Sequence, residues 1–372
     1  MEATPPTSTA PPAAPRFSVV VAAHQTGPWL RQAIGSLESQ SFRDFEAIVH
    51  VEESTDDSLA IARAAAARDS RFLAVPAPKS GSASAGRNFG ILRARGEYLV
   101  FLDGDDWLAP GMLGKIDAKL RLAGPLDILA FAAVSTDGSV VDWATAPRMA
   151  NFAAADSEGV FSGLDAMRAI RKRNIRFLGY SWMNVFRTEF LRRHRLFQTE
   201  GLVLEDAEHL DRALFFARRV SFLDEPLYAY RRRNDSASTR VPANIVFSAA
   251  RQIRNLVDFT RAHSVPPDIV SFWADQWLGF FYWMLFHPVT SRKLSDTDIR
   301  EALGILAGNG GLALVAGFSG PASRFRRIAW PFVRLAAKGW LLPARLFFRK
   351  FYYPLVALRE RRRQDRNREP RP

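Results

Sequence analysis

Glu97-Tyr98-Leu99-Val100-Phe101-Leu102-Asp103-Gly104-Asp105-Asp106-Trp107 is the stretch of this 372-residue chain from which its fold can be read. Tyr98 to Leu102 has no polar alternation, the pattern of a strand buried on both faces in a parallel sheet. Gly96 is placed to close a preceding helix, and Pro110 to open the next element. The acids therefore fall at the carboxyl end of a central strand, where open α/β sheets bind their ligands. If the chain turns at Gly104, Asp103 and Asp105 face one crevice. Hard oxygen donors in that arrangement suit Mg²⁺ or Mn²⁺, held by one or two carboxylates and completed by substrate phosphates. A solvated acidic turn has the same spacing, so spacing alone does not choose between the two.

Working outward, strands alternate with helices of about a dozen residues, which calls for a doubly wound, mostly parallel sheet. Arg16–Val21 reads as the first strand, and Ala22 to Gly27 as the loop leaving it. A helix opening at Pro28 puts Leu30, Ala33, Ile34 and Leu37 on one face. Phe45–Val51 is a second strand. Glu52 to Ser58 can cap an Ala-rich helix running to Arg68. Arg71–Val75 is a third strand, and Gly81 to Asn88 leads into a helix ending at Gly96. Beyond the acids, a strand is expected over Asp127–Val134 with a hairpin turn at Asp137-Gly138. A helix follows over Leu164–Arg171, then a strand over Tyr180–Phe186. Leu204-Glu205-Asp206 heads a helix, and Val220–Tyr230 reads as two short strands. After Arg231-Arg232-Arg233-Asn234 the alternation stops, which puts a boundary near residue 240 and a helical region after it.

A hydrophobic content of 48% is ordinary for a globular chain, and the length allows a catalytic domain plus a second unit. With no cysteine there is no disulfide, thiolate nucleophile or thiolate metal site. Residues 1–15, rich in Pro, Ala and Thr, read as a disordered leader without the apolar core of a signal peptide. Of the net charge of +13, the segment from Arg324 onward supplies +12, with 15 Lys/Arg against 3 Asp/Glu. The basic character thus belongs to the tail and not to the crevice. Arg327, Arg334, Lys338, Arg345 and Arg349 keep to one helical stripe, interleaved with Trp330, Phe332, Trp340 and Phe347. That is the pattern of an interfacial helix on an anionic membrane surface, or of a helix packed on the domain with its charges in solvent. Ala302–Ser323 is uncharged and long enough to span a bilayer, but Gly308-Asn309-Gly310-Gly311 breaks it, so no transmembrane helix is expected. The terminal Arg361–Arg371 run is too short, and lacks the aromatic interleaving, for a nucleic-acid partner.

The ordered motifs together resemble family 2 glycosyltransferases of the GT-A fold. They are Val19-Val20-Val21-Ala22-Ala23-His24-Gln25, Gln40-Ser41-Phe42, Glu52-Glu53-Ser54-Thr55-Asp56, Ala85-Gly86-Arg87-Asn88-Phe89-Gly90, Phe101 to Trp107, Trp182…Asn184-Val185-Phe186-Arg187, Leu204-Glu205-Asp206 and Pro226 to Arg231. The resemblance covers about residues 16–235. It implies an α/β GT-A domain over 16–240; past it, the apolar stripes and the charge pattern read as a helical region over 241–323 and the basic tail over 324–372. It further implies an inverting transferase that moves a sugar from a nucleotide diphosphate, a UDP-sugar first, to a glycan or lipid-linked acceptor of the cell envelope. Such an enzyme would sit in the cytoplasm, peripheral on the inner membrane face.

Carried over by position, Asp105 matches the family's metal-ligating acid and Asp103 its partner toward the ribose and diphosphate. Glu52 falls where an acid contacts the nucleotide base, Arg87 matches an arginine bordering that pocket, and His24 stands where an aromatic lies near the base. Asp206 matches the acid that acts as general base, with Glu205 beside it on the substrate side. The expected cofactor is Mn²⁺ or Mg²⁺. Without the resemblance, Glu205-Asp206 is equally a helix-start acid pair favoured by the helix dipole, and Trp182 reads as core rather than acceptor platform. Val51 and Glu53 replace the family's Asp and Gly, which keeps open a non-catalytic nucleotide- or glycan-binding member. A nucleotidyltransferase also uses paired acids on a parallel sheet, but it wants a Gly-rich loop with a basic residue after the first strand, and Ala22 to Gly27 has no basic residue. No Gly-x-Gly-x-x-Gly or Walker motif is present, which argues against dinucleotide or P-loop chemistry.

Overall fold

The computed structural model describes residues 14–173, 175, 179–233, 242–286 and 294–308, and six single positions further on (331, 335, 340, 346, 347 and 350). Most of the expected leader and all five basic residues of the tail stripe lie outside the described residues. Four strands form the parallel half of the sheet: β1 (Phe17–Ala23), β2 (Phe45–Glu52), β3 (Phe72–Ala77) and β4 (Tyr98–Asp103). Helices α1 (Gly27–Glu38), α2 (Ser58–Arg68) and α3 (Ser84–Arg93) connect them. Val19–Val21 and Leu99–Leu102 are fully buried, as a strand covered on both faces requires.

Past the acids come β5 (Trp107–Leu108), α4 (Met112–Ala123), β6 (Ile128–Thr136), β7 (Arg148–Met149), β8 (Val160–Phe161), α5 (Gly163–Lys172), β9 (Asn184–Arg187), α6 (Thr188–Arg193), α7 (Glu205–Phe216) and β10 (Val220–Arg231). The main strand order is β3-β2-β1-β4-β9-β6-β10-β5. The sheet is mixed: β9 enters antiparallel between β4 and β6, while β6 and β10 run parallel. Helices α8 (Pro242–Ala262), α9 (Pro267–Phe286) and α10 (Asp296–Ala307) follow, and their apolar faces join the same buried core as the sheet.

Three local expectations are corrected. Gly96 does not cap a helix, since α3 ends at Arg93. It is glycine because a Cβ there would lie 2.4 Å from the backbone nitrogen of Ser18 on β1. Tyr180–Phe186 is not one strand: a 3₁₀ turn over Ser181–Met183 precedes β9. Val220–Tyr230 is a single strand whose register on β6 shifts on either side of Pro226, where the ring removes a ladder donor. Gln40 clamps the chain leaving β5, donating to the Ala109 carbonyl at 2.9 Å and accepting from the Leu113 amide.

The helical region is tied to α7 by a buried contact. Trp277 Nε1 donates to Asp211 Oδ2 at 2.7 Å, and burial pushes the Asp211 acid up to about 8. The folded chain thus keeps a proton that the unfolded chain releases near the ordinary aspartate value. Raising pH from about 4 to about 8 therefore costs stability through this group, with no further loss above that range. Asp211→Asn, which carries the neutral form permanently, is expected to gain on the parent in Tm as pH rises from 5 to 8. A constant offset between the two melting curves would rule this out.

Candidate active site

The acids sit where β4 ends. Asp106 N–H donates to the Asp103 carbonyl at 3.0 Å, making the tight turn, and Gly104 N–H donates to Ala22 on β1. Gly104 is required by closeness, since a Cβ there would meet Thr26 Oγ1 at 2.9 Å and the Ala22 carbonyl at 3.1 Å. The three carboxylates then take different surroundings. Asp106 is buried and structural: Oδ2 accepts from the Tyr228 hydroxyl at 2.7 Å and Oδ1 from the Arg231 amide at 2.7 Å. Burial, with the charges of Asp105 and Asp103, pushes its acid well above the usual range. Asp103 and Asp105 are each about a quarter exposed. Burial and the Asp103 charge raise Asp105 to about 6, even though Arg233 sits 2.9 Å from its carboxylate.

Arg87, on α3, joins the two walls of the crevice. Its guanidinium is 3% exposed and donates to Asp103 Oδ1 at 2.6 Å, Asp206 Oδ1 at 2.6 Å and Glu205 Oε1 at 3.0 Å. Burial works against its charge, but the three carboxylates outweigh burial and hold the guanidinium firmly ionised. Asn88 beside it exchanges hydrogen bonds with the backbone of Gln198, whose side chain in turn donates to Asp206 at 3.2 Å.

Glu205 and Asp206 open α7, with Leu204 before them in the left-handed region at φ 66°. Burial, and then the Asp206 charge, raises Glu205 to about 7 against the pull of Arg87. Burial also raises Asp206, opposed by Arg87 and by hydrogen bonds from Ser181. A carboxylate raised in this way and 13% exposed is suited to receive a proton.

The remaining sequence-derived residues are not drawn into this cluster. Glu52, at the end of β2, is buried and accepts from the Ser80 amide at 3.1 Å and from the Ser80 hydroxyl. His24 is exposed just past β1, and Val51 packs in the core. Sequence reasoning overlooked Arg233, which lies 4.0 Å over the Trp29 ring while it pairs with Asp105. The available signal was Arg231 and Arg233, two residues apart at a strand end and so on one face. Arg231 Nε reaches the Asp105 carbonyl at 2.8 Å.

The donor set fits a divalent ion. Two part-exposed carboxylates lie at one turn, and the charge of Asp103 keeps Asp105 elevated, a mutual repulsion that a cation would relieve. Among the described residues no group of three or more His, Cys, Asp or Glu side chains is arranged to hold a metal ion, so the remaining ligands would come from a diphosphate and water.

Residues 18–200 match the model of glycosyl transferase family 2. Putative glycosyltransferase EpsH of Bacillus subtilis is 34% identical over 227 residues, covering 58% of this chain and 61% of that protein. Succinoglycan biosynthesis protein ExoU of Rhizobium meliloti is 28% identical over 225 residues, 59% of this chain and 63% of its own. The chain thus spans about three fifths of the length of these curated relatives. Among solved structures, S. aureus TarS 1–349 in complex with UDP-GlcNAc superposes with a TM-score of 0.67 at 17% identity, over 90% of this chain and 92% of TarS 1–349, a likeness of fold. With the motifs, the sheet order and the family match in agreement, residues 18–200 form a glycosyl transferase family 2 domain, and the fold around them is the GT-A fold.

Proposed function

We propose that the protein is a metal-dependent, inverting glycosyltransferase that moves a sugar from a nucleotide diphosphate to a hydroxyl of a cell-envelope polysaccharide or glycolipid. The observation that carries this reading is the bridge made by Arg87, which holds Asp103 of the donor wall and Asp206 of the opposite wall on one guanidinium. In this reading Asp105 and Asp103 would hold Mn²⁺ or Mg²⁺. A bound ion would supply Lewis-acid neutralisation of the departing diphosphate. The chain's own part is proton transfer and positioning. Asp206 takes the proton of the acceptor hydroxyl as its oxygen bonds to the sugar's anomeric carbon and the bond to the diphosphate breaks. A base on the face opposite the leaving group makes this a single displacement with inversion, the logic of inverting glycosidases. Arg87 keeps Asp206 aligned, and burial of the pair leaves its carboxylate basic enough to act.

The succinoglycan connection of ExoU and the UDP-GlcNAc bound by TarS support a polysaccharide product and a uridine donor as the first to test. The test is a thermal-shift panel of UDP, GDP, CDP and TDP, each with and without Mn²⁺. One nucleotide should stabilise the protein only when Mn²⁺ is present. At a ligand concentration of 100 Kd the gain is about 2.7 kcal/mol, a shift of several degrees. Asp105→Ala should abolish that shift. No response to any nucleotide, or an undiminished one in the variant, would sink the assignment.

A further inference from the structure

Four aromatic rings stack into a column that begins in the core and ends at the crevice. Trp182, 2% exposed, stacks on the fully buried Tyr228 at 4.4 Å between centroids. It also stacks on Tyr180 at 4.8 Å and Tyr230 at 5.6 Å, with planes within 13° and 9°. Tyr180 and Tyr230 are themselves stacked at 6.3 Å, and both are only partly buried. The sequence placed Trp182 in the core, where it is, but it did not show that Trp182 carries two part-exposed tyrosines.

We propose that Tyr180 and Tyr230 form the platform on which a pyranose ring of the acceptor lies, an inference that rests on the transferase reading above. Position is the first argument. Tyr230 directly precedes Arg231, whose amide donates to Asp106 Oδ1 at 2.7 Å and whose Nε donates to the Asp105 carbonyl at 2.8 Å. Tyr180 directly precedes Ser181, which hydrogen-bonds Asp206. The two rings therefore lie between the metal-side acids and the base. An acceptor whose hydroxyl is presented to Asp206 has to place the rest of its ring there. Chemistry is the second argument. A pyranose presents apolar C–H faces ringed by hydroxyls, and an aromatic face takes the former while neighbouring carboxylates take the latter. Rigidity is the third. The rings are backed by Trp182 and Tyr228, and Tyr228 is pinned through its hydroxyl to Asp106, so little side-chain freedom is lost when a sugar binds.

Saturation-transfer NMR on the full chain tests this, using the methyl β-pyranosides of glucose, galactose and N-acetylglucosamine as probes, with UDP and diamagnetic Mg²⁺ in a parallel sample. The parent protein should transfer saturation to the ring protons of at least one glycoside. Tyr180→Leu and Tyr230→Leu keep an apolar side chain but remove the ring. Each should cut the glycoside signal five-fold or more while the UDP signal persists, which also reports that the variant is folded. Tyr180→Phe and Tyr230→Phe keep the ring and should hold the signal within two-fold. The platform is overturned by a glycoside signal that survives both Leu variants, by one lost in the Phe variants, or by none in the parent. Absence of a UDP signal from the parent would instead overturn the donor reading beneath it.

Discussion

Replacing Asp206 by Asn is expected to lower sugar transfer about 10²- to 10⁴-fold, the range that a general base contributes, while nucleotide binding stays as in the parent. The amide is close in shape, and Arg87 keeps Asp103 and Glu205 as partners, so the crevice wall remains in place. What is lost is an acceptor for the proton. The pH profile gives a second readout of the same variant. Glu205 and Asp206 share one guanidinium and titrate as a pair, with Glu205 raised to about 7. The base must be ionised to work, so the parent's transfer rate should fall as pH drops through the raised titration of Asp206. The residual rate of Asp206→Asn should lack this limb. Transfer at the parental rate would move the base elsewhere on the wall.

Arg87→Ala is expected to damage both the fold and the site. It leaves Asp103, Glu205 and Asp206 without their shared cation, and removing one partner of a buried ion pair costs about 3–5 kcal/mol. At about 2–4 °C per kcal/mol for a domain of this size, Tm at pH 7 should drop by about 10 °C. The sign of its pH dependence separates charge from packing. Without Arg87 the folded-state values of Glu205 and Asp206 rise further above their unfolded values. The unfolded chain then releases these protons at lower pH than the folded one, and stability is lost as pH rises. The Tm gap to the parent should therefore be smaller at pH 5 than at pH 8. An equal gap at both values would assign the loss to packing. Arg87→Lys keeps the charge but not the fork that spans three carboxylates, so it should fall between the two.

These expectations depend on contacts that the sequence reached unevenly. The run from Tyr98 to Leu102 announced a doubly covered strand, and its end announced a crevice, because side-chain alternation and turn chemistry are local properties. The strand at β1, the helix face of Leu30, Ala33, Ile34 and Leu37, and the head of α7 at Glu205-Asp206 were legible for the same reason. Gly96 was misread because its glycine answers to the backbone of Ser18, 78 residues away. The single bulged strand β10 looked like two, since Pro226 interrupts the local pattern while β6 carries the pairing across it.

The sequence by itself determined the candidates for the chemistry: an Asp-x-Asp turn, an Arg-Asn helix start and an acidic helix start, in an order that resembles one family. Only the tertiary structure decided what these residues do to one another. Arg87 lies 16 residues from Asp103 and 119 from Asp206, yet it binds both. Arg233 reaches Asp105 across 128 residues. The antiparallel entry of β9 between β4 and β6 carries Tyr180 and Ser181 toward the acids. Local propensity is set by neighbours within a turn or two, whereas these charge pairs are set by which strand packs beside which. That choice is made by burial over the whole sheet and leaves no periodic mark on the chain.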